Sequence, residues 1–253
     1  FITQFGFSQS EKNVSEYAKS ISSKELKELL YVYASDYFEG RETGKRGQHK
    51  AVDFIRQFYI KHKIAPANGT EYYFQPMILN IKGVDVKTEN VVAIIEGSEY
   101  PDEYIILSSH LDHIGIENGI INNGADDDGS GTVSLIEIAN AFQQAKNEGN
   151  GPKRSILFLH VTGEEIGLYG SRYYTENPLF PLANTITNLN VDMIGRIGSE
   201  KEGNDNYIYL IGSDKLSQGL HDLSEAVNKK YVNLELDYTY NDDNDPNRFY
   251  YRS

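Results

Sequence analysis

The stretch SILFLHVT, residues 155–162, is a near-continuous apolar run, unbroken from Ile156 to Leu159. A strand with one wet face alternates apolar and polar residues, so a strand without alternation is covered on both faces. EYIILSSH (103–110) has the same character, and NVVAIIEG (90–97) is an apolar, β-rich run ending at glycine. ITNLNVDMIG, read as a strand over 185–193, and YIYLIGS (207–213) follow. Helical periodicities alternate with them: TVSLIEIANAFQQAK (132–146) and KLSQGLHDLSEAVNKK (215–230). Upstream, Val14, Tyr17, Ile21, Leu26, Leu29 and Leu30 predict a helix over 11–31, and Val52, Ile55, Phe58 and Tyr59 predict another over 49–63. Such alternation predicts an α/β fold: a single three-layer domain with a mostly parallel mixed sheet and helices on both faces. No repeat or linker interrupts it, so residues 11–253 are expected to form one domain.

The 253 residues suffice for a sizeable core. A net charge of −13 argues against a nucleic-acid or anionic-membrane partner, either of which calls for a basic face. With no cysteine, thiol catalysis and Cys-ligated zinc are excluded, so any metal must be held by His, Asp and Glu. No apolar run approaches the roughly 18 residues of a membrane span. The opening FITQFGFSQS resembles the tail of a secretory signal peptide, which predicts export to the periplasm or the extracellular space, with residues 1–10 as its remnant.

In open α/β sheets, sites form beyond the carboxyl ends of the strands. His110 and Asp112 follow strand 103–109, Glu164 and Glu165 follow strand 155–162, and Asp192 lies near the end of strand 185–193. The loop GADDDGSGT (124–132) adds Asp126, Asp127 and Asp128, adjacent like charges that call for a compensating cation. A set of imidazole and carboxylates without thiolate suits zinc, and a pair of zincs needs a bridging carboxylate. A metal-bound His commonly passes its other N–H to a carboxylate, and Asp112 in HLD is placed for that. In the Glu164–Glu165 pair, one carboxylate can bind metal while its neighbour takes a proton from water.

SSHLDHIG, NGADDDGSGT, TGEEIGLYGS and NVDMIGR, in that order, resemble the zinc-dependent aminopeptidase family of the di-zinc exopeptidases, with a phosphorylase/hydrolase-like core. FEGRETGKRGQHKAVDFIRQFY is similar to that family's approach to its catalytic core, and the similarity spans roughly residues 36–253. The resemblance implies two zinc ions and peptide substrates with a free N-terminus. His110, Asp127 and Asp192 would hold the first ion. Asp127 would bridge to the second, which Glu165 also binds. Glu164 would be the general base, Asp112 would orient His110, and Asp128 would shape the loop. The family's second zinc takes a further His from a segment resembling Arg-Ser-Asp-His. This sequence reads YYRS and stops at Ser253, which implies a truncated sequence whose second site lacks that ligand. His113 is expected to point away from the site, His160 to lie in the core, and His49, His62 and His221 to lie on helix surfaces.

Three rival readings remain. Residues 126–137 place Asp126, Asp128, Ser130, Gly131, Val133 and Glu137 close to the pattern of a calcium-binding EF-hand loop, although a strand and not a helix precedes them. A one-zinc cyclase acting on N-terminal glutamine, or a non-catalytic binding relative, would keep the fold. The sequence contains no G-x-S-x-G elbow, phosphate loop or H-E-x-x-H helix.

Overall fold

The computed structural model describes residues 11–67, 70–244 and 249–251. The signal-like stretch 1–10 and the terminal Arg252–Ser253 lie outside them. Two compact units result, one ending at Met193 and one running from Ile194.

The first unit begins with α1 (Glu11–Ser20) and α2 (Ser23–Tyr33). The single helix expected over 11–31 is therefore broken. Ser22 takes an extended conformation and its side chain accepts the Glu25 N–H, which starts a new helix, and a cap of this kind contributes about 1 kcal/mol. A tight turn, Asp36–Arg41, leads into α3 (Arg46–Lys61). The sheet follows: β1 (Ala65–Pro66), β2 (Phe74–Ile81), β3 (Val84–Ile95) and β4 (Tyr100–His110). A two-stranded ribbon, β5 (Ile116–Glu117) and β6 (Ile120–Ile121), precedes α4 (Gly131–Asn147). The unit closes with β7 (Arg154–Val161), α5 (Tyr169–Glu176) and β8 (Thr185–Asn190).

The strand order is β1-β3-β7-β4-β8, with β2 also paired to β3. β4 lies parallel to both β7 and β8, while β3 runs against β1, β2 and β7. The sheet is thus mixed, with β3 the one reversed strand among those described. Period-2 alternation sorts the apolar residues onto two faces. Val91, Ala93, Ile95, Ile156 and Phe158 pack with α2, α3 and α4 through Tyr33, Ile55, Tyr59, Leu135 and Ile136. Val92, Ile94, Leu157, Leu159 and Val161 face the other way and pack with Tyr174 of α5. Both faces of β3 and β7 are covered, which is why neither strand alternates in polarity.

In the second unit, β9 (Tyr207–Tyr209) and β10 (Glu235–Asp237) pair in parallel. The crossover between them carries α6 (Ser213–Leu216) and α7 (Gln218–Tyr231). The helix expected over 215–230 breaks at Ser217, whose extended backbone and side-chain bond to Leu220 N–H start α7. Among the described residues, no helix is long and apolar enough to cross a membrane.

Candidate metal centre

Three adjacent parallel strands, β7, β4 and β8, end side by side in the first unit. His110, the last residue of β4, pairs with Val161, the last of β7. Three and four residues beyond Val161 come Glu164 and Glu165. Val191 N–H donates to Ser108 O at 2.8 Å, which carries the line of β8 past its end and brings Asp192 beside His110. Asp192 therefore lies two residues beyond the strand rather than within it.

Around the His110 Nε2 atom stand Asp127 Oδ1 at 3.0 Å, Asp192 Oδ1 at 3.6 Å and Glu164 Oε2 at 4.0 Å. The imidazole is buried, and its Nδ1 faces the main-chain carbonyl of Asp112 at 3.1 Å. The Asp112 carboxylate is farther, at 3.8 Å. It instead accepts from Thr43 Oγ1 at 2.9 Å and from the Glu164 N–H at 3.2 Å. Asp112 therefore orients His110 through its main chain and fixes the start of the Glu164–Glu165 turn through its side chain.

Asp127 and Asp128 lie between Gly124 and α4, and the peptide joining them is cis. Gly124 adopts φ 53°, ψ 52°, the left-handed region that favours glycine. Asp128 is fully buried and its two oxygens accept three main-chain N–H groups: His110 at 3.1 Å, Gly131 at 2.8 Å and Met193 at 3.3 Å. A Cβ on Gly131 would sit 2.4 Å from the same carboxylate, so this contact needs glycine there. Asp128 thus has no oxygen directed at His110 Nε2, and its work is to join the end of β4, the start of α4 and the segment after β8.

The structure corrects the expectation for His113. Its side chain points into the site, with Nδ1 2.5 Å from Glu165 Oε1, and the ligand atoms of His113, Asp127 and Glu165 lie within 4.8 Å of one another. His110, Asp127 and Asp192 form a second such group, so Asp127 belongs to both. The spacing HLDH carried this signal, since residues just past a strand end need not keep the strand's alternation. His160 is buried in the core, with Nε2 2.6 Å from Tyr59 Oη and Nδ1 3.1 Å from Ser109 Oγ. Of the three helix histidines, His49 is exposed, whereas His62 and His221 are half-buried, His62 beside Asn140 and His221 beside Ser213.

Arg41 was not singled out by sequence and is fully buried. Its guanidinium donates to the carbonyls of Leu111 (3.1 Å), Tyr33 (3.3 Å), Asn123 (2.7 Å) and Gly124 (2.7 Å). It clasps both ends of the 111–124 excursion on which His113 rides. The signal was the EGR of FEGRETG, whose glycine allows close approach: a Cβ on Gly40 would meet Asn122 O at 2.4 Å.

The electrostatics are those of a cation site. Burial disfavours a charged His110, but Asp112, Asp127 and Asp192 outweigh it and raise its pKa well above the usual imidazole value. Burial pushes the Asp127 carboxyl up, and His110 more than reverses this, leaving it below the usual range. Burial pushes Asp128 well up. Burial also pushes Glu164 up to about 7, with His110 opposing and Asp112, Asp192 and Glu165 adding to the rise. A divalent cation would displace the proton from His110 Nε2 and take its place as counter-charge. Among the described residues, the buried Asp192 Oδ1 has no hydrogen-bond partner, as expected of an oxygen reserved for a metal. Two imidazoles and three carboxylates in two groups that share one carboxylate fit a pair of zinc ions. They do not fit the calcium reading: α4 begins at Gly131, so Val133 and Glu137 lie on a helix, and Asp128 is occupied by main-chain donors.

Residues 90–249, more than half of the chain, match the family described as Peptidase family M28. The chain belongs to peptidase family M28. A probable glutamate carboxypeptidase LAMP1 of Arabidopsis thaliana is 37% identical over 122 residues, covering 46% of this chain and 17% of that protein. A probable zinc metalloprotease of Pyrenophora teres f. teres is 34% identical over 167 residues, 60% of this chain and 32% of that protein. The chain thus spans a third or less of the length of these curated relatives. The fold resembles that of the LapA aminopeptidase of Legionella pneumophila, with a TM-score of 0.66 at 20% identity over 90% of this chain and 57% of that one. It also resembles the glutaminyl cyclase of Porphyromonas gingivalis, with a TM-score of 0.64 at 20% identity over 85% of this chain and 74% of that one.

Proposed function

We propose that this chain is a zinc-dependent aminopeptidase, hydrolysing N-terminal residues from peptides at a two-ion centre. The observation that carries the reading is Asp127, shared by two groups of potential ligands with Glu164 alongside. His110 and Asp192 would hold one ion, Glu165 the other, and Asp127 both. Bound zinc supplies Lewis acidity: it polarises the scissile carbonyl and makes water acidic enough to ionise near neutral pH.

The chain's own residues would do the rest. Glu164, pushed up to about 7, is matched to proton transfer near neutrality. It takes the proton of the attacking water and passes it to the leaving amine. Asp112 holds the Glu164 main chain, and Asp128 holds the loop that presents Asp127. Two ligand groups, not one, favour this reading over a one-zinc glutaminyl cyclase.

The test compares hydrolysis of a free amino-acid anilide with that of its N-acetylated form, before and after chelation and zinc restoration. The reading expects zinc-dependent cleavage of the free amine only. Release of ammonia from an N-terminal glutamine peptide without shortening would replace it with the cyclase. Glu164→Gln should retain zinc and lose about 10²–10⁴-fold in kcat, and undiminished turnover would remove Glu164 from the role of base.

A further inference from the structure

We propose that Asn90, on β3, is the positioning residue for the turn that carries Glu164 and Glu165. The inference rests on the reading of Glu164 as base and Glu165 as ligand, and goes beyond it by assigning what holds the two carboxylates in place.

The turn leaves β7 at Val161 and returns as α5 at Tyr169. On the way Gly163, Gly167 and Leu168 all take positive φ. Main-chain bonds close its neck: Gly170 N–H donates to Thr162 O at 2.8 Å and Tyr169 N–H to Gly163 O at 3.0 Å. On the β3 side, however, the ladder stops short of this neck, because the last pair is Val91 with His160.

Asn90 takes over where that ladder ends. Its side chain is fully buried. Oδ1 accepts the Thr162 N–H at 3.0 Å, and Nδ2 donates to Gly170 O and to Gln75 Oε1, each at 3.0 Å. One amide therefore grips both sides of the neck, as acceptor for the outgoing chain and donor for the returning one. A carboxylate of the same shape would lack the donor. Gln75, also buried, fixes which way the amide faces, since its own Nε2 is committed to Asn177 O at 2.8 Å, at the end of α5. The fit is close: a Cβ on Gly170 would come within 2.4 Å of Asn90 Oδ1. The Thr162 hydroxyl is held separately, by Gln48 Nε2 at 2.6 Å. Asn90 thus fixes the base of the turn two residues before Glu164, whose own N–H is fixed by Asp112.

A buried amide can have a plainer use, satisfying buried main-chain groups and adding to stability alone. The two roles differ in what their loss changes in a protein that still folds.

The experiment compares the unaltered full-length protein with Asn90→Ala, Gln75→Met and Ile55→Val. Ile55→Val is the control, because it trims the core under α3 and leaves the turn untouched. Each is measured for urea midpoint, for kcat and KM on a free amino-acid anilide, and for zinc affinity in metal buffers. Glu165→Gln marks which ion the turn holds. The proposal expects Asn90→Ala to lose about 10–100-fold in kcat with KM little changed, since small displacements of a reacting group cost this much. The ion marked by Glu165→Gln should bind about 10–100-fold more weakly, and the other as before. Gln75→Met should act in the same direction, less strongly, and Ile55→Val should lower only the urea midpoint. If Asn90→Ala behaves like Ile55→Val, Asn90 merely ends the ladder; the proposal falls and the two-ion reading stands. Should Asn90→Ala fail to fold, Gln75→Met decides by the same criteria. If the unaltered protein cleaves without zinc or binds none, the metallopeptidase reading falls and takes the proposal with it.

Discussion

His160 gives the chain a specific vulnerability to acid. The ring is fully buried between Tyr59 and Ser109, and burial alone lowers its pKa from 6.5 to about 3. Burial pushes the Tyr59 phenol well up, so Tyr59 keeps its proton and donates it to Nε2. The ring is then neutral, with Nδ1–H directed at Ser109 Oγ. In the unfolded chain it takes up a proton near 6.5; in the folded chain it does so only near 3. The stability that this difference represents is fully present above pH 6.5 and is lost as pH falls toward 3, at up to about 1.4 kcal/mol per pH unit. Between pH 7 and pH 4.5, His160 should therefore cost the fold about 2.5–3 kcal/mol. His160→Gln keeps an acceptor for Tyr59 and a donor for Ser109 but cannot titrate. Urea unfolding of both proteins at half-unit steps from pH 7 to 4.5 isolates the effect, because other titrating groups are common to the two. The glutamine variant starts less stable, and the gap should close by about 2.5–3 kcal/mol as the pH falls. Two curves that stay parallel would mean that the ring does not carry this linkage.

Three further outcomes follow from the site. Arg41→Met removes a donor from four main-chain carbonyls, of which Leu111 O keeps the Tyr33 hydroxyl and Gly124 O keeps the Gly129 N–H; even with the relief of removing a buried charge, unfolding should become easier by about 2–4 kcal/mol, read as a lower urea midpoint. Gly124→Ala places a methyl within 2.5 Å of both Asp127 O and the His113 ring at a positive φ, so zinc retention after dialysis should drop while the far-ultraviolet spectrum remains that of an α/β protein. Glu164 has a folded pKa raised from 4.5 to about 7, so ionising it costs stability, and that cost grows as pH rises from 4.5 through 7. In chelator, Glu164→Gln should therefore unfold at higher temperature than the unaltered chain at pH 8 and at nearly the same temperature at pH 4.5.

The sheet was readable because β7 and the second half of β3 bury both faces, and a run such as SILFLHVT has few other uses. The β2–β3 hairpin was harder to see: Phe74–Ile81 alternates buried and exposed positions and contains Pro76, so its periodicity competes with a breaker. The helix break at Ser22 and that at Ser217 are each decided by one capping hydroxyl, which apolar spacing over twenty residues does not register. In the site, the strand-end residues could be anticipated because chain direction alone brings His110, Glu164 and Asp192 to one edge. His113 and Arg41 left only faint signals, in HLDH and EGR, since each depends on the path of the loop between His110 and Asp127. That path is set by carbonyl contacts and glycine clearances, for which side-chain chemistry gives no pattern.

Asp128 has a consequence for how the site comes apart. Its carboxylate is the common acceptor for amides on three segments far apart in sequence, at His110, Gly131 and Met193. Exposing one of these amides means disturbing the acceptor of the other two. Local opening at the end of β4 is thereby coupled to fraying at the head of α4 and to release of the segment that bears Asp192. The metal-facing edge of the sheet should open as one cooperative unit, with the bridging aspartate carried along by its neighbour.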